Sequence, residues 1–222
     1  CTEFIQRDAS HPTGRVLVRL DAEGNPTFTI VEDVAWDRME PERRWLDAAR
    51  GADVVCFGTL AQRTPDSRRT IGQVLHAAAQ AVRIFDVNLR QRFYCEDILA
   101  ESLGRATILK LNADEFDRLA EMFGGGQADT AFAQRLMSEH RIELVCVTRG
   151  ADGCTLHSPD QSVSRPVPPT QVVDTVGAGD AFTAALAVKY LEGRPLEKIA
   201  DAANFLGACV AARRGAMPPV PE

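Results

Sequence analysis

Residues 82–111 read VRIFDVNLRQRFYCEDILAESLGRATILKL, and this stretch decides the class of fold. Its two ends, VRIFDV (82–87) and ATILKL (106–111), are short and predominantly apolar, as strands covered on both faces are. Between them, 96–103 carries a helical pattern. Strand, helix, strand in this order implies a right-handed crossover between parallel neighbours. Further apolar runs stand at DVVCF (53–57) and ELVCV (143–147), with helical stretches at 41–50, 65–81, 113–123, 128–140, 178–192 and 196–213. An α/β fold with a mainly parallel sheet and helices on both sides is therefore expected. Such sheets bind ligands beyond the carboxyl ends of their strands, so function is sought just after each apolar run.

Before this region, RVLVRL (15–20) and TFTIV (27–31) alternate apolar and polar residues around DAEGNP (21–26), the pattern of a β-hairpin with one face covered and one wet. The expected division is residues 1–36 for the hairpin and its flanks and 37–222 for the α/β core. Gly124, Gly125 and Gly126 fall between two helical stretches and suit a flexible connection. SRPVPP (164–169) and MPPVPE (217–222) suit extended loops.

A chain of 222 residues can bury one substantial core. With 45% hydrophobic and 25% charged residues it has the composition of a globular protein. A net charge of −6 gives no general attraction for polyanions, which argues against nucleic-acid binding; Arg43, Arg44, Arg68 and Arg69 fit solvated helix faces. The six cysteines form no C-x-x-C pair and have no histidine at metal spacing, which suggests neither a zinc site nor a disulfide framework. Cys56 and Cys146 sit in strand-like runs and are expected to be buried thiols of a reducing compartment. No apolar run approaches the length of a bilayer span, so no membrane partner and a cytoplasmic location are expected. The chain opens at Cys1 without a methionine, which leaves a removed leader open.

Chemistry concentrates in QVVDTVGAGDAFTAALAVKYLEG (171–193): a short apolar strand, V-G-A-G-D, then a helix with Phe182, Ala185, Leu186 and Tyr190 on its apolar side. Gly177 and Gly179 allow a tight turn that brings backbone close to a ligand. The N–H groups that open the helix, with its dipole, make a site for an anion such as phosphate. Asp180 stands in the first helical turn. Acids there commonly just offset the dipole, but a carboxylate also repels the anion the turn attracts. Its presence makes sense where a proton is removed beside a phosphate. No G-x-x-x-x-G-K-[ST] occurs in the chain, which excludes a Walker-type loop. A dinucleotide fingerprint fails as well, because Phe182 occupies its last glycine position and no acid follows a strand about 20 residues later.

DTVGAGDAF (174–182) resembles the C-terminal signature of PfkB-family carbohydrate kinases. The resemblance extends through PTG (12–14), FDVNLR (85–90), LKLNADEF (109–116), VTRGADG (147–153) and NFLGACVAARRGAMPPVP (204–221). HPTG, VAWD and FDVNLRQRFY look most like fructokinase-type members. It implies a ribokinase-like three-layer sandwich with a small β-hairpin lid. It covers nearly all of this chain but about two-thirds to three-quarters of the family pattern, whose N-terminal part, with a sugar-holding aspartate and a Gly-Gly loop, has no counterpart here.

Carried over by position, the resemblance makes Asp180 the catalytic base and the amides of Gly177, Ala178, Gly179 and Asp180 an anion hole. Asn112 and Glu115 match an element that positions Mg²⁺ on the nucleotide, though the same pair fits a helix capping box. Lys110, Thr148, Arg149, Gly150 and Gly153, with Asn204 and Gly207 near the adenine, fall to the nucleotide side. Asp86, Asn88 and Arg90 fall to the sugar, with a structural Asp86–Arg90 pair as the alternative. Asp174, Val176 and the backbone near Gly215 resemble a monovalent-cation site, K⁺ for example. The implied activity is ATP-dependent phosphorylation of a sugar hydroxymethyl group, fructokinase-like, in a homodimer joined through the lid. The alternatives are a 2-keto-3-deoxygluconate kinase, with Arg90 facing a carboxylate, a nucleoside kinase, or a non-catalytic sugar-binding relative.

Overall fold

The structure, a computed structural model, describes residues 2–20, 26–124 and 126–219. In chain order it runs β1 (Val16–Leu20), β2 (Pro26–Ile30), α1 (Arg43–Arg50), β3 (Val54–Gly58), α2 (Pro65–Ala77), β4 (Val82–Asp86), α3 (Glu96–Leu103), β5 (Ile108–Asn112), α4 (Ala113–Met122), α5 (Thr130–His140), β6 (Leu144–Thr148), β7 (Cys154–His157), β8 (Ser162–Arg165), α6 (Ala178–Leu191) and α7 (Leu196–Ala211). β1 and β2 pair only with each other; the rest form a sheet in the order β3-β4-β5-β6-β7-β8. From β3 to β6 the pairing is parallel, while β7 and β8 are each antiparallel to the strand before.

Successive strand residues point to opposite faces, and the core divides accordingly. Phe85, Leu109, Leu111, Val145 and Val147 pack with Leu99 and Leu103 of α3, Phe116 and Leu119 of α4, and Phe132 and Leu136 of α5. Ile84, Ile108, Leu144, Cys146 and Leu156 face the other way, onto Phe182 and Leu186 of α6 and Ile199 and Ala203 of α7. The nearly continuous apolar runs thus serve two cores at once, each fully buried large side chain contributing about 1.5–3 kcal/mol. This is the expected three-layer α/β sandwich.

Several expectations are corrected. Residues 171–176 form no strand: Val173 and Asp174 donate their N–H groups to Ala211 O, at 2.8 and 3.1 Å. The segment closes the end of α7, which leaves Val172, Val173 and Val176 exposed. β7 and β8 were not anticipated, and β8 takes in Ser164 and Arg165 from a stretch read as loop. Its SVSR sequence alternates exposed and half-buried positions with Val163 as its one apolar residue. The hairpin is not covered on one face, since Val16 (54% exposed) and Leu17 (48%) point to opposite sides; its connection falls mostly outside the described residues. α2 ends at Ala77, short of residue 81, where Arg83 Nη1 takes the carbonyls of Ala78, Ala79 and Ala81. Cys56 is exposed while Cys146 is buried, because β3 is the outer strand of the sheet. Among the described residues no helix is long and apolar enough to cross a membrane.

Candidate active site

Parallel register sets the floor of the site. Gly58, Asp86, Lys110 and Cys146 lie level across β3 to β6, with Asn112 beside Thr148 two residues further toward the carboxyl edge. The start of α6 hangs over this edge. Thr183 Oγ1 donates to Asp86 Oδ2 at 3.2 Å, and a Cβ placed on Gly179 would stand 3.5 Å from Lys110 Nζ.

The glycine bend has a steric origin. Gly177 caps α6 at φ 82°, in the left-handed region that penalises other residues, and a Cβ there would lie 2.3 Å from Ala216 O. Asp174 holds the bend from outside, accepting from Val176 N at 3.0 Å and Gly215 N at 3.0 Å. Those two N–H groups keep its carboxyl below the usual carboxylate range. Ala178 N donates to Thr175 O at 3.2 Å. The N–H groups of Gly177, Gly179 and Asp180 find no partner among the described residues. The predicted cradle therefore offers three free donors, Ala178 being engaged. Asp180 is exposed beside them, with no ion pair or hydrogen bond to its side chain among the described residues.

Cys56 reports on this neighbourhood. Although exposed at the sheet edge, its thiol is pushed up to about 11, chiefly by the protein around the sulfur; Asp86 and Asp180 push the same way and Lys110 opposes them. Those groups converge on one corner.

Asn112 and Glu115 form the capping box. Asn112 Oδ1 accepts from Glu115 N and Glu115 Oε2 from Asn112 N, both at 2.9 Å. Glu115 Oε1 also accepts from Leu89 N at 2.9 Å, so this buried carboxylate staples the loop after β4 to the start of α4. Arg90 Nη1 stands 3.9 Å from Glu115 Oε1 and donates to Leu89 O; it does not pair with Asp86. Asn88 sits at φ 49°, which asparagine tolerates better than most residues. No cluster of three His, Cys, Asp or Glu able to hold a metal occurs among the described residues. Fully protein-ligated Mg²⁺ does not fit this site; Mg²⁺ carried on nucleotide phosphates with its own waters does.

Other predicted residues are spent internally. Lys110 Nζ lies 3.0 Å from both oxygens of Asp86. Asn204 is buried and donates to Arg165 O and Pro166 O, at 3.0 and 3.2 Å. Gly207 lets α7 approach α6, a Cβ there meeting Ala178 O at 3.2 Å. Thr148 Oγ1 makes a long bond of 3.4 Å to Leu111 O. Arg149 is anchored to Thr155 Oγ1 at 2.7 Å. Gly150 and Gly153 shape the turn at φ 53° and 89°; a Cβ on Gly153 would lie 2.0 Å from Arg165 O.

Sequence reasoning missed Thr183, whose only signal is its place one helical turn after Gly179. It also missed Arg63, whose guanidinium lies over the rings of Trp36 (4.0 Å) and Phe93 (4.6 Å). Arg63 binds both oxygens of buried Asp37 and donates to Val31 O at 2.8 Å, tying the exit of the hairpin to the loop after β3.

The pfkB family carbohydrate kinase profile matches residues 1–222. This chain belongs to that family. The kinase is 32% identical over 236 residues to a fructokinase of Klebsiella pneumoniae, covering 98% of this chain and 74% of that one. An uncharacterized sugar kinase from Pyrococcus horikoshii, solved in complex with ATP, superposes with a TM-score of 0.76 at 29% identity, over 95% of this chain and 68% of that one. A fructokinase from Xylella fastidiosa with bound ATP gives a TM-score of 0.83 at 21% identity, over 95% and 70%, which speaks to the fold alone.

Proposed function

We propose that this sugar kinase transfers the γ-phosphoryl group of Mg·ATP to a primary hydroxyl of a small sugar, with fructose-type acceptors preferred. One observation carries this reading: an exposed, unpaired carboxylate stands beside three unpartnered amides at one helix N-terminus. Asp180 takes the hydroxyl proton as the oxygen attacks phosphorus, and the amides of Gly177, Gly179 and Asp180 receive the charge on the transferring group. The ATP complexes and fructokinases among the relatives support the donor and the acceptor class.

The loop of Thr148, Arg149, Gly150 and Gly153 flanks the nucleotide, and Asn88 and Arg90 face the sugar. Mg²⁺ rides on the phosphates toward Asn112 and Glu115, meeting Glu115 through water, because both its oxygens already hold backbone N–H groups. The hairpin acts as a lid that keeps water from the phosphoryl group, and its exposed apolar residues suit pairing with a second subunit. A keto-deoxy acid acceptor is the second reading, favoured by Arg90, which is 49% exposed and only loosely paired with Glu115, at 3.9 Å. A K⁺ requirement traced to the Asp174 bend is read by replacing K⁺ with a bulky organic cation.

Asp180→Asn tests the base. It lowers turnover roughly 10²- to 10⁴-fold and leaves ATP affinity nearly unchanged; near-normal turnover removes the assignment. ATP consumption across ketoses, aldoses, keto-deoxy acids and nucleosides identifies the acceptor.

A further inference from the structure

We propose that Lys110, Asp86 and Thr183 form a positioning relay that sets the direction of the Asp180 amide in the anion-binding turn. The proposal rests on the reading of that turn given above and assigns these residues a task other than touching substrate. Lys110 and Asp86 are largely enclosed, with side chains 10% and 15% exposed. Lys110 grips Asp86 with both contacts at 3.0 Å. The single proton of the Thr183 hydroxyl is shared between two acceptors, Asp86 Oδ2 at 3.2 Å and Gly179 O at 3.0 Å.

That last contact matters because a peptide group is planar and trans. The carbonyl of Gly179 and the N–H of Asp180 are opposite ends of one rigid unit. Fixing the oxygen fixes where the N–H points, and this N–H is one of the three free donors. Residue 179, with no side chain of its own, is thus held from β4 and β5 through Thr183. The ammonium and carboxylate cancel as a pair, so the contribution is orientation rather than added positive charge. Nothing in the short-range sequence signals it, since Lys110 and Asp86 come from neighbouring strands and Thr183 from a helix 97 positions after Asp86.

Thr183→Val keeps the shape and removes the hydroxyl. The expected result is a fall in kcat of about 10- to 100-fold, less than the loss of a whole donor, with KM for sugar and for ATP each within about threefold of the parent. Thr183→Ser, which keeps the hydroxyl, restores kcat to within about threefold. The amide resonance of Asp180 shifts in the valine variant and returns in the serine variant. Lys110→Met/Asp86→Asn, neutral on both sides, is the second route should a single variant fail to fold, and gives the same kcat-only loss.

Parental kcat in Thr183→Val overturns the relay. So does a rise of tenfold or more in KM for ATP at unchanged kcat in the Lys110 variant, which would make Lys110 a nucleotide ligand. Asp180→Asn, assayed in parallel, separates two failures: its full activity sinks the base, whereas an inactive Asp180→Asn with an unaffected Thr183→Val sinks the relay alone.

Discussion

Gly177→Ala puts the steric argument under direct test. At φ 82° an alanine pays about 1–2 kcal/mol for the left-handed backbone. The added methyl carbon also falls 2.3 Å from Ala216 O and 2.8 Å from Ala216 Cα. Both are backbone atoms, so no side chain can rotate away and one segment must move by about 1 Å. Overpacking of this kind costs about 1–3 kcal/mol. The two costs together reach about 2–5 kcal/mol, a large share of the 5–15 kcal/mol that typically holds a domain together. Residues 215–216 are exposed and can swing outward at the loss of the Gly215 N to Asp174 bond, which places the global loss near the lower end. The damage is then local, to the turn that presents the amides. An unfolding free energy from urea titration lowered by about 2 kcal/mol, with kcat down tenfold or more, is expected. Gly124→Ala is the control: at φ 63° with nothing within 4 Å of its Cβ, it costs only the backbone penalty of about 1–2 kcal/mol and leaves kcat unchanged. Equal midpoint and turnover in Gly177→Ala and the parent would refute the reasoning.

Cys56, exposed but with its thiol pushed up to about 11, carries roughly a thousandth of its population as thiolate at pH 8. Its alkylation, followed by peptide mass spectrometry, is slow and rises about tenfold per pH unit between 8 and 10; a rate that levels off by pH 9 contradicts the electrostatic picture. Burial holds His157 below the usual histidine range, with Arg149 adding to the effect, and burial does the same to His140. Both histidines protonate more readily when unfolded, so stability is lost as pH falls below about 6.5. Urea midpoints at pH 7.5 and 5.5 show the loss, and His157→Gln reduces it; an unchanged difference removes His157 from the account.

Legibility in the sequence followed how much each element owed to local pattern. The runs around Ile84, Ile108 and Val145 announced buried strands because each residue is apolar whichever face it serves, and α3 appeared at its observed limits. The hairpin, the capping box of Asn112 and Glu115 and the glycine bend were also legible, since their chemistry lies within a few residues. What was not legible depended on distant partners. The segment 171–176 has strand-like residues, but its amides belong to the end of α7. β8 is stabilised by pairing with β7, with little apolar pattern of its own. Asp86 ends β4 and Lys110 stands in the middle of β5, and no sequence separation says that parallel register sets them side by side.

The same contrast explains why the site can be located at all. Around the carboxyl edge of the sheet nearly every polar group has been committed: Glu115 to two amides, Asn204 to two carbonyls, Asp174 to the bend, Lys110 to Asp86. Breaking the buried pair of Lys110 and Asp86 from one side would cost about 3–5 kcal/mol. A fold that satisfies its polar atoms this thoroughly leaves unsatisfied ones only where water or a ligand completes them. Asp180 and the amides of Gly177, Gly179 and Asp180 are unpartnered among the described residues, an acceptor of protons and a set of donors for an anion, side by side on a turn whose geometry favours glycine. Charge repulsion makes that pairing unfavourable for binding phosphate and favourable for moving a proton as phosphate arrives.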